Sequence, residues 1–285
     1  MNPKIKTAIR SALFTLGFRA VRRTKAVDIL DLMEKLKPQD CGIDLIRIGG
    51  SGDGGYLIPD DLEGLEYCFS PGVSTVSDFE NHLADLHIRS YLADYSVSAP
   101  PIDRPEFTFD KKFLGSSDRE NFFTLATWKA KYLKDYTGDL ILQMDIEGFE
   151  YEVIINLPDS LLDQFRIMVI EFHDLDRLFD PFGFRLISSC FERLRGSFHV
   201  AHIHPNSQDG SLRCGGIEVP RSMEFTFLNK KRVSRTKPQV AFPHKLDADN
   251  LPGASLALPK CWYLQGTPTP KHMDTRRRSN LHRDP

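Results

Sequence analysis

The sequence predicts an α/β fold in which helices cover both faces of a mostly parallel sheet of seven strands. Short apolar runs, such as those over 140–144 and 165–174, are typical of strands that are buried on both faces. Stretches of helical periodicity separate these runs, and this alternation indicates a parallel sheet with crossover helices. The 285 residues suffice for one large domain with extensions.

Composition and charge argue against several classes of protein. The net charge is −2, so there is no global electrostatic basis for binding nucleic acid. The five cysteines are scattered and form no C-x-x-C pair, so neither a zinc site nor a disulfide framework is indicated, and a reducing, cytoplasmic location is expected. No apolar run approaches the roughly 20 residues that span a bilayer.

Residues 1–40 are predicted to form a helical N-terminal extension. Residues 1–27 contain seven Lys or Arg side chains and no acid, with apolar residues at helical spacing. Three interpretations fit such a basic amphipathic helix: peripheral docking on an anionic membrane surface, a transit peptide, or packing on the main domain with the basic face outward. The main domain is predicted over 41–265, and the polar residues 266–285 are predicted to be a disordered tail.

The stretch 44–58 contains a glycine pattern with two interpretations. Gly50, Gly52 and Gly55 match the G-x-G-x-x-G fingerprint of dinucleotide-binding folds, which requires a helix directly after the glycines. Here Tyr56 and other apolar residues follow, and alternating apolar residues on both sides favour a β-hairpin extension with a glycine-rich tip. The tip is then either a plain tight turn or a backbone loop that touches a ligand.

Residues 65–98 are typical of the first half of a nucleotide-binding α/β domain. A strand leads into a turn of small residues, and a helix with a cap at Ser77 follows. The second strand ends at Asp94, where an acid typically accepts hydrogen bonds from ribose hydroxyls. A surface Asp that simply follows a strand is the alternative. Residues 107–114 predict the third strand, and 124–136 a helix.

Acidic residues follow the fourth and fifth predicted strands. Asp145, Glu147 and Glu150 come after the fourth, and strand carboxyl ends are where open α/β sheets bind ligands. The competing interpretation is an acidic helix N-terminus, which the helix dipole favours. Glu171 and His173 end the fifth strand and point to the same side of it, because they are two residues apart.

Two further strands are predicted at 198–204 and 223–228, after a helix over 175–194 that a Pro-Phe-Gly sequence interrupts. The first of them ends in His202 and His204, which again share one side. A lone histidine is usually a surface residue or a hydrogen-bonded core residue. Several histidines and carboxylates at the strand ends of one sheet predict that at least one is functional.

With these elements in place, the chain resembles FkbM-type methyltransferases of class I. Asp-Ile-Glu-Gly-Phe-Glu at 145–150 is similar to their D-x-E-G-x-E signature. Other similar segments occur in the same order along the chain: 53–56, 69–72 with Phe79 and Glu80, 170–173, 202–206 and 220–227. The resemblance covers residues 44–265, and the combination of segments is more specific than any one of them.

The resemblance implies a Rossmann-like fold that binds S-adenosylmethionine. Backbone around Ser70 and Gly72, together with Glu80, is expected to hold the methionine part. Asp94 is expected to bind the ribose hydroxyls, and Asp118 or its neighbours to border the adenine.

One feature departs from the class I pattern. Class I methyltransferases usually carry an acidic residue and G-x-G-x-G after the first strand, whereas residues 69–74 are Phe-Ser-Pro-Gly-Val-Ser. Glu80 is the candidate to replace the missing acid, and loss of cofactor binding is the alternative.

Transfer of a methyl group to a hydroxyl requires alignment and a group that accepts the hydroxyl proton. The side chains expected around the hydroxyl are Asp145, Glu147, Glu171 and His173, and Asp145 is also expected to contact the cofactor. His173 is the leading candidate base, and His202 is the second. By resemblance to metal-dependent O-methyltransferases, Asp145 and Glu171 are an alternative Mg²⁺ site.

The predicted activity is O-methylation of a small molecule or glycan, with a sugar hydroxyl favoured. A basic N-terminal helix would suit an enzyme of polysaccharide biosynthesis that works beside a membrane. Two other functions stay open: a non-catalytic module that kept the fold, and a nicotinamide-dependent oxidoreductase, for which the glycine pattern is the sole indication.

Overall fold

The computed structural model describes residues 2–17, 21–251, 253 and 255–264. The helices are, in chain order, α1 (Pro3–Thr15), α2 (Ala26–Lys35), α3 (Asp78–Asp85), α4 (Leu125–Leu133), α5 (Glu150–Asn156), α6 (Asp159–Leu162) and α7 (Pro181–Ser197). Short 3₁₀ turns lie at Leu175–Phe179, Lys230–Arg232 and Lys260–Trp262.

The strands are β1 (Gln39–Asp40), β2 (Leu45–Ile48), β3 (Tyr56–Pro59), β4 (Tyr67–Pro71), β5 (Arg89–Ala93), β6 (Phe107–Asp110), β7 (Phe113–Leu114), β8 (Phe122–Phe123), β9 (Leu140–Met144), β10 (Phe165–Phe172), β11 (Phe198–Pro205), β12 (Ser211–Cys214), β13 (Ile217–Pro220), β14 (Met223–Asn229) and β15 (Lys237–Pro238).

Seven strands form one sheet in the order β11-β14-β10-β9-β4-β5-β6. The pairs from β10 to β6 are parallel, and β14 is antiparallel to both of its neighbours. The predicted seven-stranded, mostly parallel sheet is therefore confirmed. From β4 the chain adds β5 and β6 toward one edge of the sheet, and from β9 it adds β10 toward the other edge. The switch point, where such sheets bind ligands, therefore lies between β4 and β9.

The central strands are buried on both faces, as their continuous apolar runs predict. Every residue of β9 and β10 is buried. Along β10, Met168, Ile170 and Phe172 pack into one hydrophobic cluster, while Ile167 and Val169 pack into another. Because successive strand residues point to opposite faces, the two clusters are the cores on either side of the sheet.

The glycine-rich stretch forms the predicted hairpin. β2 and β3 pair antiparallel, with Ile48 opposite Tyr56 and Leu45 opposite Pro59. A strand rather than a helix follows the glycines, so the stretch is not a dinucleotide-binding loop.

One predicted strand and one predicted helix are each divided in the structure. The third strand, predicted over 107–114, splits into β6 in the large sheet and β7, which pairs with β8. The helix predicted over 175–194 starts only at α7, because Asp180 accepts hydrogen bonds from the backbone N–H groups of Phe182 (2.9 Å) and Gly183 (3.0 Å) and so caps a new helix.

The N-terminal region differs from the prediction in two ways. Helical spacing of apolar residues extends beyond residue 15, but α1 ends there, and Gly17 has a positive φ of 80° that suits a residue just past a helix end. α2, which falls within the predicted extension, buries Ile29, Leu32 and Met33 in the core of the domain. No helix in the described part of the chain is long and apolar enough to cross a membrane. The predicted tail lies outside the described residues.

Candidate active site

The candidate site lies at the carboxyl edge of the sheet, where β4 and β9 end side by side. The backbone N–H of Gly72 donates to the Ala93 carbonyl (2.8 Å), and that of Asp145 donates to the Pro71 carbonyl (3.3 Å). A Cβ atom added to Gly72 would lie 1.5 Å from the Asp145 carbonyl oxygen, and the φ of Gly72 is +91°. The single glycine of this turn is thus required for the two strand ends to meet.

Two cavities open at this edge, and they share Gly72, Ser74 and Asp145 in their walls. The larger has a volume of about 420 Å³ and lies beside the ends of β5 and β9. The smaller has a volume of about 80 Å³ and lies between the hairpin, the β4 turn and the start of α3. Their common walls place Asp145 at the junction of the two.

Asp94 lies in the wall of the larger cavity at the end of β5, as predicted. One carboxylate oxygen accepts from the backbone N–H of Ser74 (2.9 Å), and the other from the N–H and hydroxyl of Ser96 (2.7 and 2.6 Å). These bonds hold the turns after β4 and β5 together and fix the carboxylate at the cavity wall.

Three aromatic rings line the far side of the larger cavity: Phe113, Phe122 and Phe149. The ring centroids of Phe113 and Phe122 are 5.3 Å apart, and those of Phe122 and Phe149 are 6.0 Å apart. Sequence reasoning missed Phe113 and Phe122 as site residues. In the sequence these two aromatic residues flank a polar loop, which is the one feature that could have indicated them. The pairing of β7 with β8 brings them together in the structure.

Asp118, predicted to border the adenine, does not lie among the residues that line either cavity. Its two carboxylate oxygens accept hydrogen bonds from the Thr124 backbone N–H (2.8 Å) and the Thr127 hydroxyl (2.8 Å) at the start of α4. These bonds lower the pKa of the carboxyl group. Asp118 therefore orders the loop between the aromatic rings and α4.

The smaller cavity is lined by buried polar groups. Glu80 contacts the Ser70 hydroxyl, which also lies 2.7 Å from the side-chain oxygen of Gln143. The amide group of Gln143 donates to the Tyr56 hydroxyl (3.2 Å). Burial raises the pKa of Glu80 to about 7. Ser70 and Glu80 are predicted from the sequence as site residues. Gln143, Tyr56 and the hairpin residue Asp53 also line this cavity but are not predicted.

Four carboxylates surround the imidazole of His173. Its Nε2 atom lies 3.5 Å from Glu147, 3.7 Å from Asp145 and 3.8 Å from Glu171, and its Nδ1 atom lies 3.2 Å from Glu150. The predicted cluster of Asp145, Glu147, Glu171 and His173 is therefore brought together. β9 and β10 are neighbours with Met144 opposite Ile170, so the residues that follow them meet at one edge.

The charges of this cluster shift its pKa values strongly. Burial alone would lower the pKa of His173, but the hydrogen bond to Glu150 and the charges of Glu150, Glu171 and Asp145 raise it to about 10. Burial and the neighbouring acids raise the pKa of Asp145 to about 7. Burial also raises the pKa of Glu171 well above its usual range. At neutral pH the imidazole therefore holds its proton, and Asp145 binds a proton more readily than an ordinary aspartate does.

Glu150 is fully buried and organises the turn between β9 and α5. One of its oxygens accepts from the backbone N–H groups of Ile146 and Gly148 (both 3.1 Å) and faces His173. Glu147 and Gly148 have positive φ values of 56° and 101°, so the turn is held in a left-handed conformation that is uncommon for a glutamate. This conformation leaves the Glu147 side chain 86% exposed at the cavity mouth.

The residues of this cluster also fit a divalent cation. Ligand atoms of Asp145, Glu147 and His173 all lie within 4.8 Å of one another. One buried oxygen of Asp145 has no hydrogen-bond partner, and carboxylate oxygens are the ligands that Mg²⁺ prefers. The predicted partner Glu171 is instead engaged by the Asn206 amide group (2.6 Å).

His202 lies in a separate buried network farther along the edge. Its Nε2 atom is 2.8 Å from Asp247, whose other oxygen is 3.7 Å from Nδ1 of His204. The two histidines hold the pKa of Asp247 well below its usual range despite its burial. Glu224 is opposite both Glu171 and His204 in the sheet, so this network borders the cluster around His173. His202 lines neither cavity.

A known protein family matches part of the chain. Residues 85–198 match the family described as Methyltransferase FkbM domain, which confirms the resemblance over that part of the chain, including Asp94, Asp145, Glu171 and His173. No curated protein sequence matches the chain.

Solved structures similar to part of the chain include a fibrillarin/Nop5p complex, with a TM-score of 0.36 and 14% identity over 59% of this chain and 74% of that one. A candidate DNA modification methyltransferase encoded within a prophage (E. coli) matches with a TM-score of 0.34 and 9% identity, over 58% of this chain and 47% of that one.

Proposed function

We propose that this protein is an S-adenosylmethionine-dependent O-methyltransferase whose acceptor is a sugar hydroxyl. The observation that carries the proposal is the pair of cavities that meet at Gly72 and Asp145, at the switch point of the sheet. One cavity is small and acidic and the other is larger and aromatic. This matches a cofactor that joins an amino acid to a nucleoside.

The smaller cavity suits the methionine part of the cofactor. Its walls contain the carboxylates of Asp53, Asp78 and Glu80, which favour an ammonium group. Because the pKa of Glu80 is about 7, a bound cation would shift this carboxyl group toward its ionised form.

The larger cavity suits the adenosine part. The carboxylate of Asp94 lies in its wall, where ribose hydroxyls would donate to it, and the aromatic side chains of Phe113 and Phe122 in the same wall would pack against a planar base. In this arrangement the sulfonium, which supplies an electrophilic methyl group, lies near Asp145 at the junction.

We assign the role of proton acceptor to Asp145 and not to His173, the leading candidate from the sequence. A general base must be free to take a proton at the working pH. The surrounding carboxylates raise the pKa of His173, so its imidazole already holds a proton, whereas one buried oxygen of Asp145 has no hydrogen-bond partner. His173, 3.7 Å from Asp145, then positions the carboxylate and stabilises its negative charge. His202, outside both cavities, has a structural role.

The mouth of the site supports a sugar as acceptor. Glu147 and Asp145 present carboxylate oxygens that accept hydrogen bonds from neighbouring hydroxyls, and Phe149 is 41% exposed beside them, as an apolar sugar face would require. Acidic groups and one aromatic ring thus face the direction from which an acceptor would approach.

A metal-assisted mechanism is the second candidate, favoured by the convergence of Asp145, Glu147 and His173. A bound Mg²⁺ would lower the pKa of the acceptor hydroxyl and orient it. Glu150 would then hold the Nδ1 proton of His173 so that Nε2 faces the ion. Activity that disappears with a chelator and returns with Mg²⁺ alone favours this candidate over proton transfer to Asp145.

Two measurements test the proposal. Calorimetry with S-adenosylhomocysteine is expected to show binding, and absence of binding at millimolar ligand would favour a non-catalytic module that kept the fold. Methyl transfer to free and polymer-linked deoxysugars is then compared with transfer to non-sugar alcohols. Transfer to the non-sugar alcohols alone would refute the choice of acceptor but not the methyltransferase activity.

A further inference from the structure

Helix α1 has an apolar stripe that does not pack on the domain. Ile5 and Ile9, on one face, are 52% and 46% exposed, and Leu16 just past the helix end is 70% exposed. Phe14 lies nine residues, or two and a half turns, after Ile5 and so points to the opposite face, where it is 75% exposed. Packing of this helix on the domain, one of the sequence-based interpretations, would have buried these side chains. An amphipathic helix with an uncovered apolar face requires a partner.

A second exposed apolar element lies beside α1. A groove of about 710 Å³ separates α1 from the N-terminus of α7, and its walls include Phe14 and Val21 on one side and Phe182 on the other. Phe182 is 69% exposed. The backbone N–H of Thr24 donates to the Phe179 carbonyl (3.0 Å), which anchors the segment after α1 to the 3₁₀ turn before α7.

Positive charge surrounds these apolar side chains. Arg10, Arg22 and Arg185 line the groove, and Lys4 and Lys6 lie on α1. Within the described residues none of these five cations forms an ion pair with an acid of the protein, and α1 itself contains no acidic residue. The Asp180 carboxylate at the groove caps α7 through Phe182 and Gly183 and is thereby partly neutralised.

We infer that α1 and the N-terminus of α7 together form a docking surface for an anionic lipid bilayer. Apolar side chains flanked by unpaired arginines and lysines are the combination that inserts at the level of lipid headgroups and binds acidic lipids. A nucleic acid would use the cations but would leave the exposed side chains of Phe14 and Phe182 without an apolar partner. The docking surface comprises the groove residues Arg10, Phe14, Val21, Arg22, Phe182 and Arg185.

The position of this surface orients the candidate active site. β10 ends at Phe172 and leads through His173 and a 3₁₀ turn to α7, so the N-terminus of α7 lies at the same edge of the sheet as the cavities. A protein docked through this surface would hold that edge near the bilayer, within reach of an acceptor carried there.

Vesicle flotation of the full-length protein tests the inference independently of any activity. We expect the protein to float with phosphatidylcholine vesicles that contain phosphatidylserine and to remain unbound with pure phosphatidylcholine. Replacing Arg10, Arg22 and Arg185 by Gln should weaken binding by about 100-fold, since each cation near an anionic surface contributes about fivefold. The matched control replaces the exposed Lys134, Lys245 and Lys260 by Gln, and it should float as the unmodified protein does.

A second variant tests the apolar part of the surface. Phe14→Ser combined with Phe182→Ser should abolish flotation, whereas Val240→Ser, at a side chain that is 53% exposed elsewhere, should not. Equal flotation on neutral and anionic vesicles, no flotation on either, or equal losses in the lysine control would overturn the inference. Light scattering provides a further check, because a dimer that only the Phe14→Ser/Phe182→Ser variant loses would identify a second copy of the chain as the occupant instead.

Discussion

Replacing Glu150 by Gln should lower the pKa of His173 while the fold of the turn is retained. The side-chain oxygen of Gln can still accept from the backbone N–H groups of Ile146 and Gly148, so the hydrogen bonds that shape the turn persist. The substitution removes the negative charge that lies 3.2 Å from Nδ1 of His173. It therefore separates the electrostatic contribution of Glu150 from its structural one.

The magnitude follows from the burial of this pair. Glu150 is fully buried and His173 is 15% exposed, so solvent screens their interaction only weakly. A hydrogen bond to a charged group contributes about 1.5–3 kcal/mol, and 1.36 kcal/mol corresponds to one pKa unit. The pKa of His173 should therefore fall by about 1–2 units from its value of about 10.

Nuclear magnetic resonance of the histidine ring nitrogens measures this pKa directly, with a His173→Gln variant to assign the signal. Glu147→Gln is the matched control, because Glu147 lies 3.5 Å from Nε2 but is 86% exposed. Exposed ion pairs contribute about 0–1 kcal/mol, so its effect should stay below about one unit. An unchanged pKa in Glu150→Gln, or a larger change in Glu147→Gln, would refute the electrostatic description of the site.

Four further outcomes are expected. Because the ionised form of Asp145 is the proposed base and its pKa is about 7, kcat/KM should rise about tenfold per pH unit below neutrality and level off above it, and a flat profile across neutral pH would contradict this role. Gly72→Ala places a Cβ 1.5 Å from a carbonyl oxygen at a φ of +91°. Denaturant unfolding should therefore show that the free energy of unfolding falls by about 1–3 kcal/mol or more, and unchanged stability would be incompatible with the packed turn. Asp94→Ala should weaken binding of S-adenosylhomocysteine by about tenfold or more in calorimetry, and unaltered affinity would remove Asp94 from the cofactor site. Asp247→Asn weakens the buried contact with His202 and should cost about 3–5 kcal/mol of stability in thermal unfolding, whereas an effect on turnover alone would argue for a catalytic role of His202.

The elements that the sequence predicts well are those with a strong local pattern. The runs that become β9 and β10 are continuously apolar, and this pattern arises because helices cover both faces of the sheet. Once the two strands are recognised as parallel neighbours, the meeting of Asp145, Glu171 and His173 follows from geometry alone. The core of the candidate site was predictable for this reason.

The parts that the sequence does not predict depend on contacts between distant segments. Strands of two residues, such as β7 and β8, show no periodicity, so the pairing that brings Phe113 and Phe122 together cannot be recognised from the hydrophobic pattern. Asp247 lies in a loop and meets His202 across 45 positions of chain. Asp118 lies in a polar loop, where an acid that binds a ligand is often found. Only the position of α4 shows that Asp118 instead accepts hydrogen bonds from Thr124 and Thr127.

The loop after β4 illustrates how a motif can be missing from a sequence while its chemical groups remain in place. The acid expected directly after β4, the first parallel strand along the chain, is absent. The Glu80 side chain on α3, ten residues after Ser70, nevertheless contacts the Ser70 hydroxyl at the end of β4. The one glycine that remains, Gly72, is the position where a side chain would collide with the backbone of Asp145. A ligand meets side chains by their position in space and not by their order in the chain. The absence of G-x-G-x-G therefore does not weaken the proposed cofactor site, whose acid and close backbone approach come from Glu80 and Gly72.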